Sequence, residues 1–325
     1  MSSNTINIEI IPQTTGLKRS PGDKFYTAPH VVTKCIQLLK EHIVIDRGDV
    51  CIEPSAGKGA FIDSLKSLSE KHNFYDIEPQ HSEIAKQNYL DYDYEKSDYK
   101  NIINEVDKDV DIGKIHVIGN PPFGRQGSLA IKFIKHSCKF CDSLSFILPR
   151  SFRKISMQRH IDLNFHLICD SDIDPFSFIV DDVPHDVPCI FQIWEKRDYE
   201  RYMPKKAIEI GYMFVKRDEK HDISFRRVGN KAGEICTENT DQKSIQSHYF
   251  IKFDDRIQIS DELIDILRSM DYSCKDDTCG PKSISKQELI YRFNDLIGDI
   301  MEEIYEMENV IENEMKNEMK KYNEK

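Results

Sequence analysis

Asp49-Val50-Cys51-Ile52-Glu53-Pro54-Ser55-Ala56-Gly57-Lys58-Gly59-Ala60-Phe61 is the stretch on which the fold turns. Its first four residues read as a short strand, Pro54 stops it, and a glycine loop follows before Ile62, Leu65 and Leu68 recur at helical spacing. Strand, glycine loop and helix in that order open an α/β sheet whose ligands bind beyond the carboxyl ends of the strands. Gly57 and Gly59 let the backbone come close to a ligand, and the helix start offers free N–H groups to its polar or anionic part. The third glycine of a dinucleotide fingerprint and the Lys-Ser/Thr ending of a phosphate-binding loop are missing, so neither of those readings is supported.

Working outward, Phe74-Tyr75-Asp76-Ile77-Glu78-Pro79 reads as the second strand, ending in an acid suited to accept both hydroxyls of a ribose. A helical stretch is expected from His81 to Lys86, then Gln87-Asn88-Tyr89-Leu90-Asp91, a polar insert rich in lysine and aspartate, and the strand Ile115-His116-Val117-Ile118-Gly119. Ser128 is read as capping a helix through Cys141, followed by strands over Leu144–Pro149 and Phe165–Ile168, and a hairpin of Phe176–Val180 with Val187–Trp194. Upstream, Thr27 is read as the cap of a helix that starts at Pro29 and carries Val31, Val32, Cys35, Ile36 and Leu39. This alternation predicts a parallel, doubly wound sheet.

The strand over Ile115–Gly119 runs into Asn120-Pro121-Pro122-Phe123. The prolines forbid its continuation, so the tetrapeptide forms a rigid turn at a strand's carboxyl end. The Asn120 side-chain carbonyl and the Pro121 backbone carbonyl are two acceptors that together take both hydrogens of an exocyclic NH2, and Phe123 offers a ring face to a flat heterocycle. An aromatic amine is a poor nucleophile because its lone pair is delocalised. Two acceptors favour a more tetrahedral nitrogen and aim that lone pair at an electrophile.

Phe25-Tyr26-Thr27, then Glu53 through Gly59, Asp76, Asn88 and Asn120-Pro121-Pro122-Phe123 follow one another in an order that resembles the S-adenosylmethionine-dependent N6-adenine methyltransferases. In these the cofactor motifs precede the catalytic motif and the target-recognition region comes last; the resemblance spans roughly residues 24–195. It implies a Rossmann-like class I methyltransferase sheet, mostly parallel with an antiparallel closing strand, and S-adenosylmethionine as cofactor. Phe25, Tyr26 and Thr27 would border the methionine end. Glu53, Pro54, Ser55, Ala56, Gly57 and Gly59 would hold the aminocarboxypropyl group. Asp76 would take the ribose hydroxyls and Ile77 would pack on the cofactor adenine. The family usually has Asp where Asn88 aligns; Asn88 still accepts from the cofactor's amino group, with Asp91 as the alternative. Asn120, counted with both sets, would bind the target amine with Pro121, next to Pro122, and Phe123 would stack on the target base. The implied activity is methyl transfer to adenine N6 in nucleic acid, DNA before RNA. A non-catalytic module that keeps the cofactor pocket is the alternative of another class. Protein glutamine methylation is disfavoured because that class usually carries Tyr in place of Phe123.

The chain of 325 residues has 39% hydrophobic and 31% charged residues and a net charge of -11, which describes a soluble globular protein. Nothing in it reads as a signal sequence or membrane span. Nine cysteines without a paired framework fit a cytoplasmic or other reducing intracellular compartment, and no metal is expected. Charge is uneven: residues 125–160 carry +7, 196–231 carry +5, and 295–325 carry -6. Basic faces beside the catalytic turn bind a polyanion locally even in an acidic chain.

The organisation expected is a loose arm over 1–23, a methyltransferase catalytic domain over 24–196, a β-rich candidate target-recognition region over 197–256 and a helical segment over 257–325. In the β-rich region Arg226, Arg227, Tyr249 and Phe250 interleave, a pattern that suits contacts to phosphate and base. Ser285-Lys286-Gln287-Glu288 is a capping box, after which Phe293, Ile297, Ile300, Ile304, Met307 and Ile311 alternate spacings of four and three. That pattern suits a coiled-coil partner or a homodimer through the C-terminal helix.

Overall fold

The computed structural model describes residues 25–94, 113–180 and 183–323. The expected arm over 1–23 and most of the polar insert lie outside the described residues. In chain order the first half comprises β1 (Tyr26–Thr27), α1 (Pro29–His42), β2 (Val50–Glu53), α2 (Ile62–Leu68), β3 (Lys71–Asp76), β4 (Ala85–Lys86), β5 (Ile115–Gly119), α3 (Ser128–Ser137), β6 (Ser143–Pro149), a short α4 (Ile155–Gln158), β7 (Phe165–Asp172), β8 (Phe178–Val180), β9 (Val183–His185) and β10 (Cys189–Lys196). Seven of these strands form one sheet in the order β4-β3-β2-β5-β6-β10-β7. Neighbours from β4 to β6 are parallel, while β10 runs antiparallel between β6 and β7. This is the Rossmann-like arrangement with an antiparallel closing strand that the sequence predicts.

The reason is in the burial. Every residue of β2, β5 and β6 is buried, so these short, largely apolar strands need cover on both faces. Val32, Cys35 and Leu39 of α1 pack with Phe61 and Phe191 on one face, while Ala130, Phe133 and Ile134 of α3 pack with Leu144 and Trp194 on the other. The amino end of β5 is pinned by buried His116, whose ring lies 3.1 Å from Asp49 Oδ2 and 2.7 Å from Ser143 Oγ. Burial lowers the His116 pKa, opposed by Asp49. This pair sits at the sheet end remote from Asn120 and is structural.

Four local expectations are corrected. Residues 81–86 form a turn and the two-residue β4 in place of a helix, because the chain returns at once to pair Tyr75 and Asp76 with Ala85 and Lys86. The helix after Asn120 ends at Ser137 and is not capped by the Ser128 hydroxyl; the Phe123 carbonyl accepts from the Leu129 and Ala130 amides. Thr27 does not cap α1, whose N-cap is Ala28, since the Thr27 hydroxyl bonds to Asn120. The expected hairpin is also repartnered. Six of the eight residues of β10 are buried, so it needs a neighbour on each side, and β7 supplies the second. Phe178–Val180 instead joins β1 and β9 in a separate three-stranded sheet.

The second half holds β11 (Tyr212–Val215), β12 (Ile223–Arg226), β13 (Ile235–Cys236), β14 (His248–Phe253), α5 (Asp261–Ser269) and α6 (Lys286–Asn323). Its sheet has the order β11-β14-β12-β13. Phe225, Ile251, Leu267, Phe293 and Ile297 share one core, so the β-rich region, α5 and the first turns of α6 pack as one body. The capping box forms: Ser285 N donates to Glu288 Oε2 at 2.7 Å, and Glu288 N donates to Ser285 Oγ at 3.3 Å. Beyond Ile304 the helix leaves that core. Lys154 joins the halves, with its Nζ 2.9 Å from the Ser283 carbonyl and 3.1 Å from Glu288. Among the described residues, no helix is long and apolar enough to cross a membrane.

Candidate active site

The carboxyl ends of β2, β3 and β5 meet as neighbours in the sheet, and three turns leave from them. The glycine loop leaves β2, Asp76 ends β3, and Asn120 follows β5. Ser55 Oγ donates to the Asn120 carbonyl at 3.0 Å, tying the glycine loop to the proline turn. Asn120 Nδ2 donates to the Phe25 carbonyl at 3.3 Å and to Thr27 Oγ1 at 3.2 Å. Because the Phe25 carbonyl only accepts, it fixes which way the amide faces. Among the described residues nothing donates to Asn120 Oδ1, the acceptor that the turn is expected to offer. Pro121 is buried, Pro122 exposed, and Phe123 half-buried between the two core layers.

Around the glycine loop, Asp76 Oδ2 accepts from Gly57 N and Asp76 Oδ1 from Glu78 N, both at 2.8 Å. Each oxygen keeps a lone pair for a further donor. Gly57 has φ +53°, and a Cβ there would lie 3.1 Å from Tyr26 Cε1. Tyr26 is therefore laid against bare backbone; Gln80 Nε2 donates to its hydroxyl at 2.6 Å and Lys58 Nζ lies 4.5 Å from its ring centre. A Cβ on Gly119 would stand 3.2 Å from Glu53 Cγ. Ile77 is 60% exposed beside Asp76. Asn88 Oδ1 accepts from Leu90 N at 3.2 Å and its Nδ2 donates to Asp91 Oδ2 at 2.8 Å, so the two alternatives for the adenine contact are bonded to each other.

Among the proposed site residues Glu53 has unmet chemistry. It is 2% exposed, and its Oε2 is buried with no hydrogen-bond partner. Burial, followed by the nearby Asp76 charge, pushes its carboxyl up to about 8. A buried carboxyl oxygen with no donor is costly unless a ligand supplies one. The donor set fits S-adenosylmethionine: an orphan acid for its ammonium group, backbone bare of Cβ atoms at Gly57 and Gly119, and Asp76 for hydroxyls.

The proposed site residues thus come together at the carboxyl ends of neighbouring strands, with two qualifications. Thr27 reaches the site through its hydroxyl on Asn120, and the basic run after the turn does not form one face. Arg150 pairs with Asp172, Arg153 with Asp170 and Asp172, Lys154 with Glu288, and Arg159 donates to the Pro204 carbonyl. These cations follow β6 and are taken up by β7 and by residues further along the chain, so half of the cluster is spent on packing; Arg125, Lys132, Lys135 and Lys139 remain exposed. The sequence reading missed Gln80, whose Nε2 donates to the Tyr26 hydroxyl. No periodicity announces it.

No family model matches the chain, and no curated protein matches it. Solved structures of similar shape include a candidate RNA methyltransferase of Pyrococcus horikoshii, with 14% identity, 56% of this chain and 92% of that one covered and a TM-score of 0.36. A dimethyladenosine transferase of Plasmodium falciparum gives 14% identity, coverages of 54% and 64% and a TM-score of 0.36. The methyltransferase subunit of a type I restriction-modification system of Streptococcus thermophilus gives 12%, 55%, 46% and 0.37. Likeness at this level carries no weight of its own; the fold rests on the strand order and directions above.

Proposed function

We propose that the chain transfers the sulfonium methyl of S-adenosylmethionine to the N6 amine of adenine in nucleic acid, with DNA favoured over RNA. The observation that carries this reading is the Asn120 amide: Phe25 and Thr27 hold its nitrogen and leave its oxygen as an acceptor beside the Pro121 carbonyl. When bound, the cofactor supplies an electrophilic methyl group. Asn120 Oδ1 and the Pro121 carbonyl accept the two amine hydrogens and direct the nitrogen lone pair. Phe123 supports the base, and the nitrogen, cationic once methylated, loses one proton to water. Transfer is direct, with no covalent enzyme intermediate, so the protein contributes position and exclusion of water. In a duplex the target adenine is flipped out of the stack. DNA is favoured because the β-rich region follows the catalytic domain in the chain.

The partner side of the reading is a second copy along α6. Met307, Val310, Ile311, Met315 and Met319 are each 56–60% exposed and continue the apolar face beyond the core. Residues 302–314 hold six Glu and no Lys or Arg, whereas 316–325 hold four Lys and two Glu, which favours antiparallel pairing of two copies.

The test of the reaction is transfer of labelled methyl to matched DNA and RNA pools, followed by digestion to nucleosides and mass analysis. N6-methyldeoxyadenosine is the expected product. N6-methyladenosine moves the substrate to RNA, and cofactor binding with neither product overturns the nucleic-acid methyltransferase reading.

A further inference from the structure

At one end of the second sheet a groove of about 520 Å³ opens where Lys216-Arg217-Asp218 leaves β11 and Ile245 leads into β14. Phe214, Tyr249 and Phe250 line it, and Ile245 on its rim is 65% exposed. Phe214 and Tyr249 meet edge to face at 5.4 Å. Cations brace both rings: Lys286 Nζ lies 4.1 Å from the Phe214 ring centre, and the Arg227 guanidinium 5.4 Å from that of Tyr249. Lys286 also pairs with Glu209, and Arg227 donates to the Gln246 carbonyl, so these two are fixed in place. Lys216 and Arg217 differ. Both are exposed, and their side chains make no ion pair among the described residues. The single acid among the lining residues is Asp218.

This groove lies on a continuous path of contacts from the catalytic turn. The loop after Asn120 packs at Gly127 against Met157 and Phe152, whose segment carries Lys154. Lys154 holds Ser283 and Glu288, and Ile284 N donates to the Arg227 carbonyl at 2.8 Å. Lys286 and Glu288 belong to the same first turn of α6, so the path runs from Asn120 to the rings of the groove through packed residues.

We propose that this groove holds an unpaired nucleotide of the strand that carries the target adenine, with its base against Phe214 and Tyr249 and its phosphate on Lys216 and Arg217. The inference rests on the methyltransferase reading of Asn120 for the identity of the target. Partly exposed aromatic rings beside unpaired cations suit a strand whose bases are unstacked and whose backbone is anionic. Charge complementarity favours this occupant, since Lys216 and Arg217 here, like the exposed Arg125, Lys132, Lys135 and Lys139 after the catalytic turn, offer cations to a polyanion in a chain whose net charge is -11.

The test uses the full chain, without cofactor, and fluorescein-labelled single strands of DNA and of RNA of about twelve nucleotides, with a blunt duplex for comparison. In fluorescence anisotropy the double variant K216E/R217E should bind single strands about tenfold more weakly. It should also flatten the dependence of log K on log salt by between about one and two. Phe214→Leu, which keeps an apolar side chain but removes the ring, should weaken binding about fivefold with the salt slope unchanged. Both variants should bind labelled S-adenosylmethionine as the parent does. The tighter of the two single strands identifies which nucleic acid supplies the nucleotide. Parental affinity in both variants overturns the proposal, as does duplex binding as tight as single-strand binding with Phe214→Leu silent. Absence of methyl transfer by the parent chain, with these binding effects observed, would instead count against the catalytic reading alone.

Discussion

The buried acid Glu53 gives the sharpest test of the cofactor site. Its carboxyl ionises at about 8, so in the free protein at pH 7 it is about one-tenth charged. If the cofactor ammonium is its missing donor, only the ionised form binds well. Affinity for S-adenosylmethionine should then rise about tenfold from pH 6 to pH 7. Folding stability should move the other way. Below pH 4.5 the folded and unfolded chains both carry the proton. Between 4.5 and about 8 the unfolded chain releases it while the folded chain keeps it, so stability falls by about 1.4 kcal/mol per unit, on the order of 5 kcal/mol in all. Glu53→Gln removes both dependences: the variant should gain stability relative to the parent as pH rises and bind cofactor weakly at every pH. Isothermal titration with the cofactor at pH 6, 6.5 and 7, roughly bracketing the steep range, and urea unfolding of both proteins, measure the two effects. Cofactor affinity that is flat in pH for the parent and unchanged in Glu53→Gln would refute the assignment of Glu53 to the ammonium group.

Asn120→Ala should abolish methyl transfer while leaving cofactor affinity within about twofold, on the order of 0.4 kcal/mol, by equilibrium dialysis. Loss of cofactor binding as well would undo the division of roles between the two turns. Gly57→Ala places a methyl group 3.1 Å from the Tyr26 ring at φ +53°. It should cost about 1 kcal/mol or more in thermal or urea unfolding and weaken cofactor binding by displacing Tyr26; a silent variant would mean that Tyr26 does not pack on the loop in solution. Deleting residues 306–325 removes the exposed stripe of α6 and spares Met301, the last buried residue of the core. Light scattering should find the full chain dimeric and the shortened chain monomeric, and a monomeric full chain would dispose of the pairing along α6.

The elements legible in the sequence are those whose cause is local. Pro54 and the two glycines end β2 and build the loop, the prolines after Asn120 stop β5, and Ser285 with Glu288 starts α6, each through neighbours a few residues apart. Mutual placement could not be read in the same way. The Phe25 carbonyl and the Thr27 hydroxyl orient Asn120 across more than ninety positions of chain. Glu53 looks like any strand-end acid until Gly119 and the packed sheet seal it from water and Asp76 lies near its charge. The basic run from Arg125 to His160 reads as a cluster free to bind a polyanion, yet Arg150, Arg153 and Lys154 are taken up by acids that the fold brings from β7 and α6. Likewise β10 pairs with β7 because both of its faces are buried, which its apolar run shares with any core strand. The sequence by itself determined most of the strands and where they end, the two turns and the residue types available for chemistry, because proline, glycine and apolar spacing act over short range. Only the tertiary structure decided which carboxyl loses its water, which amide oxygen is left to accept and which cations stay free, because each depends on groups that meet through folding alone.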